Sequence, residues 1–306
     1  MARDHLLRAL LPEHDLRVLV CDATATAQHA ATIQGCWRTA AQVFGQTIVG
    51  ALLAAGLLKG QQRVTLQLAG AGPMQGLFVD ASADGAVRGY VRQPAVDFLG
   101  EAPDLTAVVG PQGYLSVLRE LSNGEFYRAA VPLDAPRLDR NLEQYYESSE
   151  QLPTAIAVDV RTDDQGKIVR AVGVLVQRLP GGDTEAVEKV RERIHAGVGP
   201  AEEEGGAKPA LPLVEGLGEL EVLEDVPVAY RCTCSRERAE RGLASAGVDQ
   251  LLDMVARDKG AEVSCEFCKT VYHFDAEDLL RLIDEIRPQE EGDEGEGGDE
   301  GGGKSE

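Results

Sequence analysis

Two short cysteine pairs near the C-terminus, Cys232-Thr233-Cys234 and Cys265-Glu266-Phe267-Cys268, constrain the fold more than any other feature of this sequence. In a reducing compartment thiols stay reduced, so cysteines grouped this way point to metal or redox chemistry rather than to structural disulfides. Zinc favours a closed tetrahedral shell of thiolates at about 2.3 Å, and a C-x-x-C turn supplies two such ligands from one corner. The C-x-C pair departs from the commoner double C-x-x-C arrangement, and such near neighbours can also be oxidised to a small, strained disulfide ring. The segment between the pairs is helical and can bring them together. One Zn²⁺ held by Cys232, Cys234, Cys265 and Cys268 is therefore the expected reduced state.

Four thiolates on one Zn²⁺ leave a formal charge of about −2. Arg231, Arg236, Arg238, Arg241 and Lys269 are the dense basic neighbours expected to offset it and to favour the thiolate form. Two other uses of the cysteines stay open on these residues alone: a purely structural zinc module that mediates binding, and a thiol-disulfide oxidoreductase. The second is the weaker, because a thioredoxin-type C-x-x-C opens a helix within a βαβ pattern, whereas Cys265 follows one strand pattern and Cys268 leads into another. His273 alternates with Val271 as an ordinary strand residue and is not needed in a shell already filled by four sulfurs. Cys21 lies in an apolar strand and Cys36 beside Trp37, both positions for packed thiols.

The chain has 306 residues, enough for more than one domain. With 43% hydrophobic and 26% charged residues, most of it should fold. A net charge of −21 opposes nucleic-acid binding, which needs clustered Lys and Arg. Asp4 and His5 interrupt any secretory signal at the start. The apolar run from Val43 to Leu58 contains Gln46 and falls short of the roughly 18 to 20 residues of a membrane span, so a buried core helix is expected there. These features predict a cytoplasmic protein with neither nucleic acid nor membrane as partner.

Strand patterns at Leu16 to Cys21 and Val64 to Leu68 are followed by two that flank Asp84-Gly85, the residue choice for a type I′ hairpin: Leu77 to Asp80 and Ala86 to Val91. Leu115 to Leu118 and Phe126 to Val131 flank Ser122-Asn123-Gly124. Thr154 to Val160 and Ile168 to Gln177 turn through Asp163-Asp164-Gln165-Gly166. Helical patterns occupy Ala40 to Leu58 and Leu138 to Ser148. Strand runs with inserted helices indicate an α+β fold whose N-terminal core domain, residues 1–178, holds an antiparallel sheet. Residues 179–230 have linker composition around one marginal helix, capped by Asp183 and carrying Ala186, Val187, Val190 and Ile194 as an apolar stripe. Residues 231–287 form a small C-terminal zinc-binding module with helices marked by Val248, Leu251, Leu252 and Val255, and by Leu279, Leu282, Ile283 and Ile286 behind an Asp275 cap. Between them Glu262 to Ser264 and Thr270 to Phe274 read as a hairpin. Residues 288–306 are Gly and acid, the composition of a disordered tail.

No catalytic constellation emerges. Gly70 to Pro73 and Leu179 to Gly182 lack the Gly-Lys-Ser/Thr of a phosphate cradle, His14 and His29 stand alone, and Glu147-Ser148-Ser149-Glu150 has no histidine nearby in sequence. A binding protein is expected rather than an enzyme.

Cys232-Thr233-Cys234-Ser235-Arg236-Glu237-Arg238, and Val263-Ser264-Cys265-Glu266-Phe267-Cys268 with Tyr272 and Phe274, resemble the bacterial heat shock protein 33 family. Similar segments recur through the N-terminal part: Gln67-Leu68 with Gly70 to Pro73, Val87-Arg88-Gly89-Tyr90-Val91, Ser149-Glu150-Gln151-Leu152-Pro153-Thr154 and Gln177 to Gly181. The resemblance spans nearly the whole chain except the acidic tail and the Gly/Glu/Pro-rich stretch of the linker. It implies a redox-regulated chaperone that holds unfolding client proteins without ATP, dormant when reduced and zinc-bound, and activated by hypochlorite or by peroxide with heat. By the same resemblance the four cysteines are both the zinc ligands and the redox-active residues, pairing Cys232 with Cys234 and Cys265 with Cys268 on oxidation. It further implies a homodimer on activation and hand-over of clients to ATP-driven chaperones. No motif defines the client surface; the apolar stripe between Ala186 and Ile194 is the candidate.

Overall fold

The computed structural model describes residues 4–98, 104–121, 123–202 and 205–287. In chain order, β1 (His5–Leu11), β2 (Leu16–Asp22), α1 (Thr24–Gln34) and α2 (Arg38–Gly56) precede β3 (Arg63–Ala69), β4 (Leu77–Ser82) and β5 (Ala86–Val91). Then come α3 (Leu105–Val109), β6 (Tyr114–Glu120), β7 (Phe126–Pro132) and α4 (Leu138–Tyr145), the last widening into a π turn over Tyr146–Glu150. β8 (Thr154–Thr162), β9 (Ile168–Arg178), α5 (Thr184–His195), α6 (Leu211–Val214), β10 (Glu221–Pro227) and β11 (Ala229–Tyr230) follow. The remaining elements are α7 (Arg236–Ala244), α8 (Val248–Arg257), β12 (Gly260–Ser264), β13 (Val271–Asp275) and α9 (Ala276–Ile286).

The chain divides into two compact units. One comprises residues up to Thr233 together with Glu266–Lys269; the other comprises Cys234–Cys265 and the residues after Lys269. The fold is α+β with antiparallel pairing throughout both large sheets except at β11, which runs parallel to β5. In the first unit the sheets run β10-β1-β2-β9-β8 and β11-β5-β4-β3-β6-β7. Helix α2 packs against strands of both, which is why 16 of its 19 residues are buried. It is long and apolar enough to cross a membrane, yet 89% of its apolar window lies inside the fold, as the sequence reading expected. Leu52, Ile48 and Phe44 fill the space between the sheets, and burial of each such side chain contributes about 1.5–3 kcal/mol.

The expected hairpins are present, with one correction. Only Gly85 takes a left-handed φ, 79°, and Asp84 does not, so the turn is a three-residue loop rather than the two-residue I′ turn favoured by Asp-Gly. Asp84 instead accepts from the Ser82 hydroxyl and the Ala86 amide, which closes the loop with its side chain.

Residues 179–230, read from composition as a connecting region, carry α5, α6, β10 and β11. Asp183 caps α5 by accepting from the Glu185 and Ala186 amides. Ala186, Val187, Val190 and Ile194 are buried in a second apolar cluster with Leu7, Val18, Val174 and Val176, on the face of the five-stranded sheet opposite α2. Covered on both faces, β1, β2 and β9 lose strict alternation and read as nearly continuous apolar runs.

The second unit packs α7, α8 and α9 around the β12-β13 hairpin, with seven buried apolar residues: Ala239, Leu243, Leu251, Phe274, Leu279, Leu282 and Ile283. Asp275 and Asp278 form a capping box at α9. The expectation of a disordered tail over 288–306 lies outside the described residues.

The α2 packing carries a test. A Cβ on Gly173 would lie 2.4 Å from Val49 Cγ1 and 2.9 Å from Leu53 Cδ1. Gly173→Ala should therefore push α2 off β9 and destabilise the first unit by about 1–3 kcal/mol, read as a lower urea midpoint.

Candidate metal centre

Cys232 is delivered by β11, whose two residues extend the six-stranded sheet in parallel with Ala86 and Val87. The Arg231 amide donates to the Val87 carbonyl at 2.9 Å, and the Arg231 guanidinium grips the Asp84 carbonyl and carboxylate, so the chain enters the site anchored on both sides. Two residues beyond Cys232 comes Cys234, and Ser235 then caps α7 through the Arg238 amide. Cys265 and Cys268 stand on the turn between β12 and β13. That turn is closed by the Cys265 amide donating to Thr270 O at 2.9 Å, and it reverses direction at Lys269, where φ is 57°.

The four sulfurs lie within 4.8 Å of one another, and all four side chains are partly buried. A tetrahedral shell with bonds of about 2.3 Å places sulfurs about 3.8 Å apart, so the set fits a thiolate-bound metal ion with little adjustment. Four soft donors with no carboxylate or imidazole among them match zinc chemistry rather than that of calcium or magnesium. The Tyr272 hydroxyl donates to Cys234 Sγ at 3.1 Å, an outer-shell contact of the kind that orients a ligand and shares its charge.

Several neighbours depart from simple charge compensation. Arg231 pairs with Asp84, Arg236 with Asp278 and Glu240, and Lys269 with Glu266, so the expected offset of thiolate charge is shared with nearby carboxylates. Arg236 also lies 4.3 Å over the Phe274 ring, fixing β13 against the start of α7. His273 faces Glu262 across the hairpin with its Nδ1 2.9 Å from the carboxylate and is 70% exposed, away from the sulfur cluster. Cys21 is fully buried, and that burial raises its thiol well above the ordinary range. Burial likewise pushes Cys36 up to about 12 despite the opposing field of Lys269. Both are held as unreactive thiols.

The Hsp33 protein family model matches residues 4–275. The chain belongs to the Hsp33 family. A 33 kDa chaperonin of Geobacter sulfurreducens is 37% identical over 294 residues, covering 92% of this chain and 96% of that protein. One from Enterococcus faecalis is 32% identical over 289 residues, covering 92% and 97%. The crystal structure of a Thermotoga maritima 33 kDa chaperonin superposes with a TM-score of 0.78 at 26% identity, over 92% of this chain and 98% of that one. The family is one of chaperones, and a cluster of four cysteines is consistent with redox regulation within it.

Sequence reasoning found the four sulfurs from their spacing, but not the contacts that seat them. Tyr272 appeared as a family residue, with no sign that its hydroxyl reaches Cys234. Its role yields a test: Tyr272→Phe should weaken zinc binding by roughly tenfold or more, measured by competition with a chromophoric chelator, while α9 and the hairpin stay folded.

Proposed function

We propose that the chain is a redox-regulated, ATP-independent holdase that binds unfolding proteins under oxidative stress. It is dormant while Cys232, Cys234, Cys265 and Cys268 hold one Zn²⁺, and active once they are oxidised to two disulfides. The convergence of four thiols in a chain of the Hsp33 family carries this reading. Bound zinc would supply a closed, non-catalytic crosslink between the two cysteine pairs. The rest is done by the chain's own residues.

Cys265 with Cys268, and Cys232 with Cys234, would each, as a pair of thiolates, give two electrons to one equivalent of an oxidant such as peroxide, which takes up two protons from solvent and leaves as two waters. Every disulfide formed removes two donors, and the crosslink is lost. Structural zinc is worth about 10–16 kcal/mol in apparent terms in small modules, whereas whole domains are stable by about 5–15 kcal/mol. A second unit with seven buried apolar residues should not survive that loss. The new disulfides close loops too short to restrict the unfolded chain. We therefore assign residues 231–287 as the switch, 179–230 as a linker that loosens with it, 1–178 as the persistent core, and 288–306 as a solubilising tail.

In the reduced fold the apolar stripe of α5 is buried on the five-stranded sheet. It becomes a client surface only when the linker leaves that sheet. Clients are then held by exposed apolar surface and need no nucleotide. We further propose that the activated chain dimerises, passes clients to ATP-driven chaperones, and works in the cytoplasm, where thiols remain reduced until stress.

Replacing one ligand tests the metal assignment: Cys265→Ser should lose at least about tenfold in zinc affinity by chelator competition, and one zinc per reduced wild-type chain should be found by metal analysis. Light scattering of a thermally aggregating protein tests the activity, with suppression expected from the oxidised chain and none from the reduced chain, both without nucleotide. Turnover of an insulin-type disulfide would instead identify an oxidoreductase. Hydrogen exchange tests the mechanism: protection should collapse from about Leu179 to Arg287 on oxidation and persist over Leu16 to Gln177, and retained protection after Leu179 in an oxidised, client-binding sample would refute it.

A further inference from the structure

Within the first unit, the outer face of the six-stranded sheet carries an aromatic shelf. Phe78 on β4 and Tyr90 on β5 are directly opposite in register and stack at 5.6 Å with their planes 13° apart. Beside them Arg88 is held by Asp80 at 2.9 Å. Phe267, from the Glu266–Lys269 segment that belongs to this unit, sits on the shelf edge-on to both rings, 5.9 Å from Phe78 and 5.4 Å from Tyr90. The Arg88 guanidinium lies 4.5 Å over the Phe267 ring. The main chain is held too: Gln34 Nε2 donates to the carbonyls of Glu266 at 2.9 Å and Phe267 at 2.8 Å, and the Tyr230 hydroxyl lies 2.6 Å from the Phe267 carbonyl.

We propose that this shelf is a client-binding subsite and that Phe267 occupies it in the reduced chain as a stand-in for a client's aromatic side chain. The inference rests on the holdase reading and names where such a chaperone takes hold. The groups on the shelf recognise one aromatic ring and two consecutive backbone carbonyls, with no demand on any other side chain. A folded protein seldom offers both, because its aromatics are packed and its backbone carbonyls are paired within secondary structure. An unfolding chain offers both everywhere. Ring recognition is by stacking edges and a cation above the face, which favours Phe, Tyr and Trp over aliphatic residues. Gln34, Tyr90, Arg92 and Pro94 form one wall of a cleft of about 480 Å³ beside the shelf, closed by Glu266 and Lys269 while Phe267 is seated, and this wall stays with the shelf when the turn leaves.

The stand-in is tied to the switch by covalent structure. Phe267 lies between Cys265 and Cys268, so the bond that forms between those sulfurs on oxidation reshapes the turn that presents the ring. With that bond the turn also loses its metal crosslink and is free to move, so the Glu266 and Phe267 carbonyls leave Gln34 and the shelf is vacated.

The probe is a fluorescein-labelled 12-residue peptide carrying Phe at two positions, with a control in which Ser replaces both. Oxidised wild type should bind the Phe peptide and not the control, and reduced wild type should bind it at least about tenfold more weakly. Reduced Phe267→Ala with one zinc per chain should bind it at least about tenfold more tightly than reduced wild type, Phe267→Tyr should behave as wild type, and adding Phe78→Ser with Tyr90→Ser should abolish the gain. Should Phe267→Ala fail to fold or to hold zinc, oxidised Phe78→Ser/Tyr90→Ser decides: a loss of about tenfold or more in peptide affinity supports the subsite, and undiminished affinity overturns it. Reduced, zinc-loaded Phe267→Ala that binds no better than reduced wild type also overturns it. If the oxidised wild type suppresses no aggregation, the chaperone reading fails; if it does so and the shelf variants are unaffected, only the subsite fails.

Discussion

Four cysteine sulfurs lie within 4.8 Å of one another, and as thiolates they would repel strongly, so the switch proposed above depends on how that repulsion is resolved. The basic side chains around them are largely committed to Asp84, Asp278, Glu240 and Glu266. A divalent ion bound there would resolve the repulsion and crosslink the two pairs. The same proximity places each sulfur beside a partner for disulfide formation. One arrangement thus suits both states of the proposed switch.

The second unit has little else to hold it. Its helices are capped by Ser235 and by the Asp275–Asp278 box, contributions of about 1 kcal/mol each, and its apolar cluster is small. The first unit is built differently, around a helix with both flanks covered by sheet. Between these extremes stands α5. Its apolar stripe is used on the five-stranded sheet, and its polar ties include Asp183 with His14, Arg178 to the Thr184 hydroxyl, Arg191 to the Thr154 carbonyl, Arg193 to the Leu213 carbonyl and His195 with Glu143. On the proposed mechanism, local opening would start where buried apolar surface is least, in the second unit.

What could be read from the sequence follows the same logic. The hairpins β4-β5, β6-β7 and β8-β9, helix α2, the Asp183 and Asp275 caps and the four clustered cysteines all announce themselves through alternation, turn residues or spacing. β1 does not, because His5–Leu11 is buried on both faces and its apolar run lacks a period. β10 is hidden for the opposite reason: Glu221–Pro227 is charged and exposed except at Val226, and becomes a strand only because β1 offers an open edge. α7 is too polar to show an apolar stripe, with only Ala239 and Leu243 buried. The Asp84-Gly85 turn misled because Asp84 spends its side chain on the loop and on Arg231, which a residue-pair rule does not see. Tyr272 and Gln34 were invisible as site residues, since each acts across a distance in sequence of 38 and more than 230 residues respectively.

The position of Phe267 shows why an aromatic belongs inside a metal-binding turn. Its contacts are three hydrogen bonds to the local main chain, two edge-on ring contacts and one cation over its face. At about 0.5–1.5 kcal/mol for each, these amount to a few kcal/mol net of ordering. Structural zinc is worth about 10–16 kcal/mol. On the proposed switch the ring would not hold the turn in its reduced shape once the sulfurs changed partners, whereas with a metal fixing that shape the ring would need no further ordering and its contacts would be realised in full. A weak contact carried on a strongly held turn is sensitive to the state of the turn, and that sensitivity follows from placing an apolar side chain between two ligands rather than anywhere else on the surface.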